Sequence, residues 1–524
     1  MNSEELLSLL NSELAPVKTL KAGELSCIYE EGNLRLIKSG DFEIVRMIYS
    51  AVRDENWKTI APVIEGEKIE ETGDSFSISY TAVYRTDNIS YKSKIRITGT
   101  KDNTISFSFS GEALSAFKRN RIGLCVHHPI KECAGKEIEI FTPEGSTYNS
   151  VFPELISPHQ PFKDIKEMVW EVGRNAKAKL IFKGDIFETE DQRNWTDASY
   201  KTYSTPLQIP FPVQVVAGEN VEQKITLQLL GEVAEATQVN KIKKEAATIS
   251  LLPKIGYCRS KNGDKLAEKQ TALLNAIPFH HYRVELKLQE PNWKNEFKIA
   301  GEEAICLNTA LELVLFFDSG NSLEIKEVID ALKETQAVLG SILVLQRDQK
   351  TTPPDLISIA YPVLKEAFPR TKIGYGTDAF FTELNRNLPA IDAYDFVSFS
   401  FNPQVHAVDT RSLVENLEAQ SYTIQTLRAL LPAEREIHVS PITFKMRYNP
   451  DSTNPKAAGT QERDPRQQTP FGAAWTLQTL KNLSGANQVT LFELSGPNGI
   501  LDEEKETSVY SMLKQLKMES FYIS

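Results

Sequence analysis

Two hydrophobic periods divide this chain. From about Lys21 to residue 230, apolar and polar positions alternate with a period of two, in the runs 33–38, 76–84, 91–97, 104–110, 136–140, 178–182 and 221–230. Such alternation, punctuated by Gly, Asp and Asn turns, predicts antiparallel sheets buried on one face, a β-sandwich. Ahead of it, residues 1–20 read as a short helix with Leu6, Leu7, Leu9, Leu10 and Leu14 on one side. Beyond a polar stretch at 231–248 the pattern changes to short apolar runs, each followed by an amphipathic segment. The pairs are 254–258 with 265–274, 282–288 with 297–306, 310–317 with 323–333, and 341–345 with 355–367. The series continues with 372–376 and 380–386, 394–401 and 413–430, 436–440 and 473–483, and 488–493 and 507–518. Eight such units predict parallel strands under a layer of helices, closed into a (β/α)8 TIM-type barrel. An open doubly wound sheet is the other arrangement, but no Gly-x-Gly-x-x-Gly follows a first strand. The expected organisation is a β-sandwich domain with a short N-terminal helix over 1–240 and a (β/α)8 barrel domain over 241–524.

Composition narrows the partners. The 524 residues are 41% hydrophobic and 25% charged, with a formal charge of −11. That balance argues against nucleic-acid or anionic-membrane binding, which needs basic clusters. The N-terminus lacks a basic n-region and apolar h-region, and no apolar run approaches the ~18 residues of a membrane span. Five scattered cysteines without a Cys-x-x-Cys fit a reducing compartment, so a cytoplasmic location is expected. The pattern carries no information on oligomeric state. A Gly-x-Ser-x-Gly elbow, a His-Glu-x-x-His zinc motif and a Walker loop are all missing. No cofactor is expected from motifs.

Two regions carry candidate chemistry. The segment 188–203 crowds Glu188, Glu190, Asp191, Asp197, Arg193, Asn194, Trp195 and Lys201 together without Gly or Pro. Carboxylates and amides beside an indole suit the wall of a polar pocket, where the acids bind hydroxyls and the ring covers an apolar face. An ion-paired hairpin bracing two domains would use the same residues. In the barrel half, reacting groups belong at the C-terminal ends of strands. Those ends supply Asp378, Glu383, Asn385 and Arg386 after strand five, Asn402, Gln404, His406 and Asp409 after six, Arg447 and Asn449 after seven, and Glu493 after eight. The connection 445–469 is far longer than the usual ~2–6 residues, as functional loops often are. Glu493 could equally close the barrel by pairing with a basic residue, and His406 could be a hydrogen-bonded loop residue. Barrel glycosidases commonly carry their acids after strands four and seven. Here those ends read Gln346-Arg347-Asp348 and Pro441-Ile442-Thr443, which weakens a glycosidase reading.

Several strings stand together in one order: His128-Pro129, 157–162 (SPHQPF), 187–203 (FETEDQRNWTDASYKTY), 382–386 (TELNR), 402–407 (NPQVHA), and 464–468 (DPRQQ) leading to 471–475 (FGAAW). In this spacing the chain resembles the D-apionate lactonase family over about 121–499. The resemblance implies a carboxylic ester hydrolase that opens D-apionolactone to D-apionate in D-apiose catabolism, with a small sugar lactone as its partner. Opening a lactone needs an activated water, oxyanion stabilisation and a proton for the departing alkoxide. Glu383 or Glu493 could activate the water, Arg386 or Arg447 hold the oxyanion, and His406 deliver the proton. Asn385, Asn402 and Gln404 would read hydroxyls, with Glu190, Asp191, Arg193, Asn194, Trp195 and Asp197 closing one wall. A divalent ion on Glu and Asp ligands is the other route to an activated water. A barrel-type glycoside hydrolase of a plant saccharide and a non-catalytic carbohydrate-binding protein are the competing functions.

Overall fold

The alternating half of the chain folds as two facing antiparallel sheets in a computed structural model that describes residues 1–10, 14–233, 252–260, 265–451 and 463–523. One nine-stranded sheet runs from Thr147–Val151 at one edge to Pro62–Glu71 at the other, with Asn220–Leu230, Thr104–Ala113 and Ser90–Thr100 near its centre. In Thr104–Ala113 the period-two pattern does what it predicts. Ile105, Phe107 and Phe109 are buried between the sheets, while Ser106, Ser108 and Ser110 face outward. The other nine-stranded sheet carries the consecutive neighbours Phe42–Asp54, Phe117–Pro129, Ser199–Tyr203 and Phe187–Asp191. This second sheet does not show one wet face. Every residue of Ser199–Tyr203 is buried, because its outer surface is covered by the barrel domain.

Eight parallel strands close that barrel in chain order: Lys254–Cys258, His281–Lys287, Ala310–Phe317, Leu339–Gln346, Lys372–Gly376, Phe396–Phe401, Glu436–Ile442 and Gln488–Leu491. The continuous apolar runs read from the sequence are these strands, buried inside by their neighbours and outside by helices. The expected domain boundary at 240/241 lies outside the described residues.

Two expectations change. Of the helix read over 1–20, the described residues show Ser3–Leu7, capped by Asn2 and Glu5, with Leu6 in the barrel core; period-two structure starts at Lys18. The helix read over 413–430 is broken into Thr410–Glu415, a 3-10 turn at Asn416–Glu418 and Gln420–Leu430. The break has a local cause. Asn416 turns its amide onto the sandwich domain, donating to Asp197 Oδ1 at 3.0 Å and accepting from the Ala198 amide at 3.1 Å.

Candidate active site

The covered sheet presents a grid of side chains toward the barrel. Opposed residues on antiparallel neighbours share a face, and the register aligns Met47, His127, Lys201 and Glu190 in one row. The next row holds Tyr49, Cys125, Tyr203 and Glu188; four residues further along, Arg53 stands opposite Arg121. Between Glu190 and Ser199 the chain makes a 3-10 turn at Gln192–Trp195 that ends on Thr196 at φ 67°. A β-branched residue in the left-handed region is strained. Thr196 is held there by its hydroxyl, which donates to the Asn402 carbonyl at 2.9 Å. The turn aims Asp197 at the barrel loop after strand six, where its Oδ2 lies 2.5 Å from His406 Nδ1. Trp195 packs edge-on against His406 with centroids 5.4 Å apart, and the Arg386 guanidinium sits 5.5 Å from the indole centroid. The acidic, Trp-bearing ribbon therefore lies across the C-terminal mouth of the barrel, closing a cleft of about 1600 Å³ whose walls come from both domains.

Electrostatics in this cleft are set by burial and by the charges that face each group. Burial pulls the His406 imidazole below the ordinary histidine value, outweighing the Asp197 carboxylate, while Lys201 and Arg53 push the same way as burial. His127 is pulled well below that value, by burial first and then by Lys201 and His406. Both rings are thus neutral near pH 7. Burial works to raise Glu190, but Lys201 at 2.9 Å, with His406 and Arg53, holds it below the usual carboxylate value. Asp197 on Nδ1 leaves His406 Nε2 as the basic nitrogen, the arrangement that lets a histidine take a proton.

A second charged cluster fills the barrel mouth. Arg283 reaches Glu312 at 3.2 Å, Asp378 at 2.9 Å and Glu285 at 3.1 Å. Arg447 grips Glu285 through 2.6 and 2.7 Å contacts and Asp378 through one of 2.7 Å. Glu383 lies nearby on the first turn of Phe381–Arg386, buried, with Lys350 Nζ at 3.7 Å; burial raises its pKa. Among the described residues, no three His, Cys, Asp or Glu side chains converge as a metal-ligand group.

Two family models cover both domains: the N-terminal domain of D-apionate lactonase matches residues 6–232 and its TIM barrel domain residues 255–520. The chain belongs to the D-apionate lactonase family. A D-apionate lactonase from Brucella anthropi is 29% identical over 517 residues, spanning 94% of this chain and 84% of the relative. Among solved structures, a family 39 glycoside hydrolase from Bacteroides cellulosilyticus WH2 is 11% identical with a TM-score of 0.36, covering 77% of this chain and 81% of that one. A GH30 endoxylanase from Clostridium papyrosolvens C71 is 10% identical with a TM-score of 0.35, covering 51% and 72%. As a member of the family, the protein is a hydrolase acting on a lactone, a carboxylic ester hydrolase. Among the described residues no helix is long and apolar enough to cross a membrane.

Within this lactonase the expected site residues separate into three groups. Glu190, Trp195, Asp197, Arg386, Gln404 and His406 line the cleft. Asp191, Arg193, Asn194, Asn385 and Asn402 lie outside that lining and are engaged by other groups. Asp191 and Arg193 form a fully buried pair at 2.6 Å, and Arg193 also donates to the Glu154 and Pro153 carbonyls. Asn385 donates to Asn194 Oδ1 at 3.0 Å across the domain boundary, and Asn402 donates to Thr443 Oγ1 at 3.1 Å. Glu383, Glu493 and Arg447 form the third group, outside the residues that line the cleft. Sequence reasoning missed Tyr49, Arg53, Arg121 and His127, which do line it. Their signal was a polar residue on what alternation alone marks as the solvent face. It becomes informative only once the barrel is known to cover that face.

Proposed function

We propose that this protein hydrolyses D-apionolactone to D-apionate in D-apiose catabolism, with the chemistry in the cleft between sandwich and barrel. Membership of the family supports the substrate, and one contact supports the place: the 2.5 Å pair of His406 and Asp197, one residue from each domain. In this reading His406 Nε2 removes a proton from water as it attacks the lactone carbonyl, and Asp197 stabilises the imidazolium that forms. The tetrahedral oxyanion faces Lys201 and His127, so positive charge and a ring N–H stand where negative charge develops. As the ring C–O bond breaks, the imidazolium returns its proton to the departing alkoxide. The products are one carboxylate, its proton and one freed hydroxyl. Trp195 covers an apolar face of the sugar, and Glu190 accepts hydroxyls.

Titrating acid release at constant pH tests this, using D-apionolactone, other five-membered aldonolactones and aryl glycosides. The expected result is base uptake with the lactones and no aglycone release from the glycosides. Glycoside cleavage without lactone opening would overturn the reading and favour a glycoside hydrolase.

A further inference from the structure

Six arginines line the cleft, and the mechanism above uses none of them. Three of them are paired with carboxylates: Arg35 meets Glu415 at 2.9 Å and Asp409 at 3.3 Å, Arg46 meets Glu43 and Glu418 at 2.9 Å each, and Arg411 meets Glu30 at 2.7 Å. Arg386 donates to the Pro158 carbonyl at 2.8 Å and lies over Trp195. Arg53 and Arg121 face each other on adjacent strands, 4% and 5% exposed. Neither has a carboxylate within salt-bridge distance among the described residues. Arg53 Nη2 and Arg121 Nε are buried without any hydrogen-bond partner there. Arg121 donates only to the Asn120 and Pro206 carbonyls, at 2.7 and 3.0 Å. Buried charges are ordinarily paired, and opposed like charges on neighbouring strands are destabilising. Two guanidiniums without a salt-bridge partner among the described residues, each with a buried N–H left over, in a chain of net charge −11 therefore mark a place that an anion completes. Beside them Trp57 and Phe211 stack edge-on at 5.0 Å, and the Arg121 guanidinium lies 5.6 and 4.9 Å from their ring centroids.

We propose that Arg53, seconded by Arg121, forms a carboxylate subsite that binds the open-chain aldonate, making the enzyme's own product an inhibitor. The proposal rests on the lactonase reading for the identity of its ligand. The guanidinium fork matches a carboxylate and has nothing comparable to offer a neutral polyol. At about 1600 Å³ the cleft exceeds the ~300–1,000 Å³ of a common small-molecule pocket, so the carboxylate end can have an anchor apart from the ring.

Calorimetric titration of the full chain with sodium D-erythronate and sodium D-apionate, against erythritol, tests it. The aldonates should bind and erythritol should not. Arg53→Gln should weaken aldonate binding about tenfold to a hundredfold, the scale of a lost hydrogen bond to a charged group. Arg53→Lys should recover part of that loss. In the hydrolysis assay the aldonate's inhibition constant should rise in parallel. Aldonates binding the parent no better than erythritol, or binding a folded Arg53→Gln protein as tightly as the parent, would overturn the subsite. Aldonate binding without lactone hydrolysis would sustain the subsite and sink the lactonase reading; hydrolysis without aldonate binding would do the reverse.

Discussion

The two charged regions are built from the same residue types, yet only one is closed on itself. In the barrel mouth Arg283 and Arg447 share Glu285 and Asp378, and Arg283 also meets Glu312, so each cation meets at least two carboxylates. In the cleft Arg53 and Arg121 meet none among the described residues, while Lys201 acts on His406, His127 and Glu190 alike. A compensated network answers its own desolvation and needs no ligand. An uncompensated one is held in place by the rest of the fold and gains when an anion, or a transition state acquiring negative charge, arrives. By that criterion the proposed reading makes the strand ends of the barrel a scaffold and gives the chemistry to the sandwich face.

The largest effect that can break this comparison belongs to His406. His406→Asn should lower kcat by about a hundredfold to ten-thousandfold, the range for a lost general base, with the melting temperature little changed. The pH profile gives a second readout. The base must be neutral, and burial sets its pKa below the ordinary histidine value of 6.5. The acidic limb of kcat/KM should therefore fall below pH 6.5, and His406→Asn should erase it. A variant with parent-like turnover would move the chemistry out of the cleft.

Stability should respond in the opposite places. Arg447→Met strands Glu285 and Asp378, and breaking a buried pair from one side costs about 3–5 kcal/mol, measurable by denaturant unfolding. Arg53→Gln removes a buried charge without a salt-bridge partner among the described residues and should shift the midpoint far less. Equal destabilisation by both would erase the distinction drawn between the regions. The same network predicts an acid window. Burial works to raise Glu285, but Arg447 and Arg283 outweigh it and hold the pKa down at about 2, against an ordinary 4.5. A depressed carboxylate stabilises the fold fully above its unfolded pKa and loses that contribution as pH falls through the folded one. Unfolding free energy should drop between pH 4.5 and 2, and the drop should be smaller in Glu285→Gln.

Much of this was legible in the sequence, and the limits were physical. Barrel strands buried on both faces are apolar throughout, so the runs at 254–258, 310–317 and 372–376 match the observed strands residue for residue. The Trp-bearing ribbon was legible too, because acids, amides and an indole rarely share a segment unless a pocket or a brace requires them; Asp191 serves as the brace and Asp197 lines the pocket. What could not be read was which polar residues of the long strands Phe42–Asp54 and Phe117–Pro129 face the barrel. Alternation reports that a face is polar and is silent on whether water or a second domain covers it. Arg53 and His127 look like solvent-facing residues until the domains are docked. Nor could spacing separate Asn385, engaged with Asn194, from Arg386 one residue later, whose guanidinium reaches Trp195 in the cleft.

The smallest expected effect is the sharpest discriminator. Glu383 is the acid that strand-end reasoning places first, and it is buried and raised by that burial, as a general base can be. Yet its near neighbour is Lys350 at 3.7 Å, and it does not line the cleft where His406, Asp197 and Glu190 meet. If the cleft holds the base, Glu383→Gln keeps the side chain's shape, removes a carboxylate whose ionised form is costly where it sits, and should change kcat by less than about tenfold. The ~hundredfold or greater loss expected for a general base would then appear only in His406→Asn. A Glu383→Gln protein that melts normally but turns over a hundredfold more slowly, beside an active His406→Asn, would return catalysis to the barrel's strand ends. The sandwich ribbon would then be the brace.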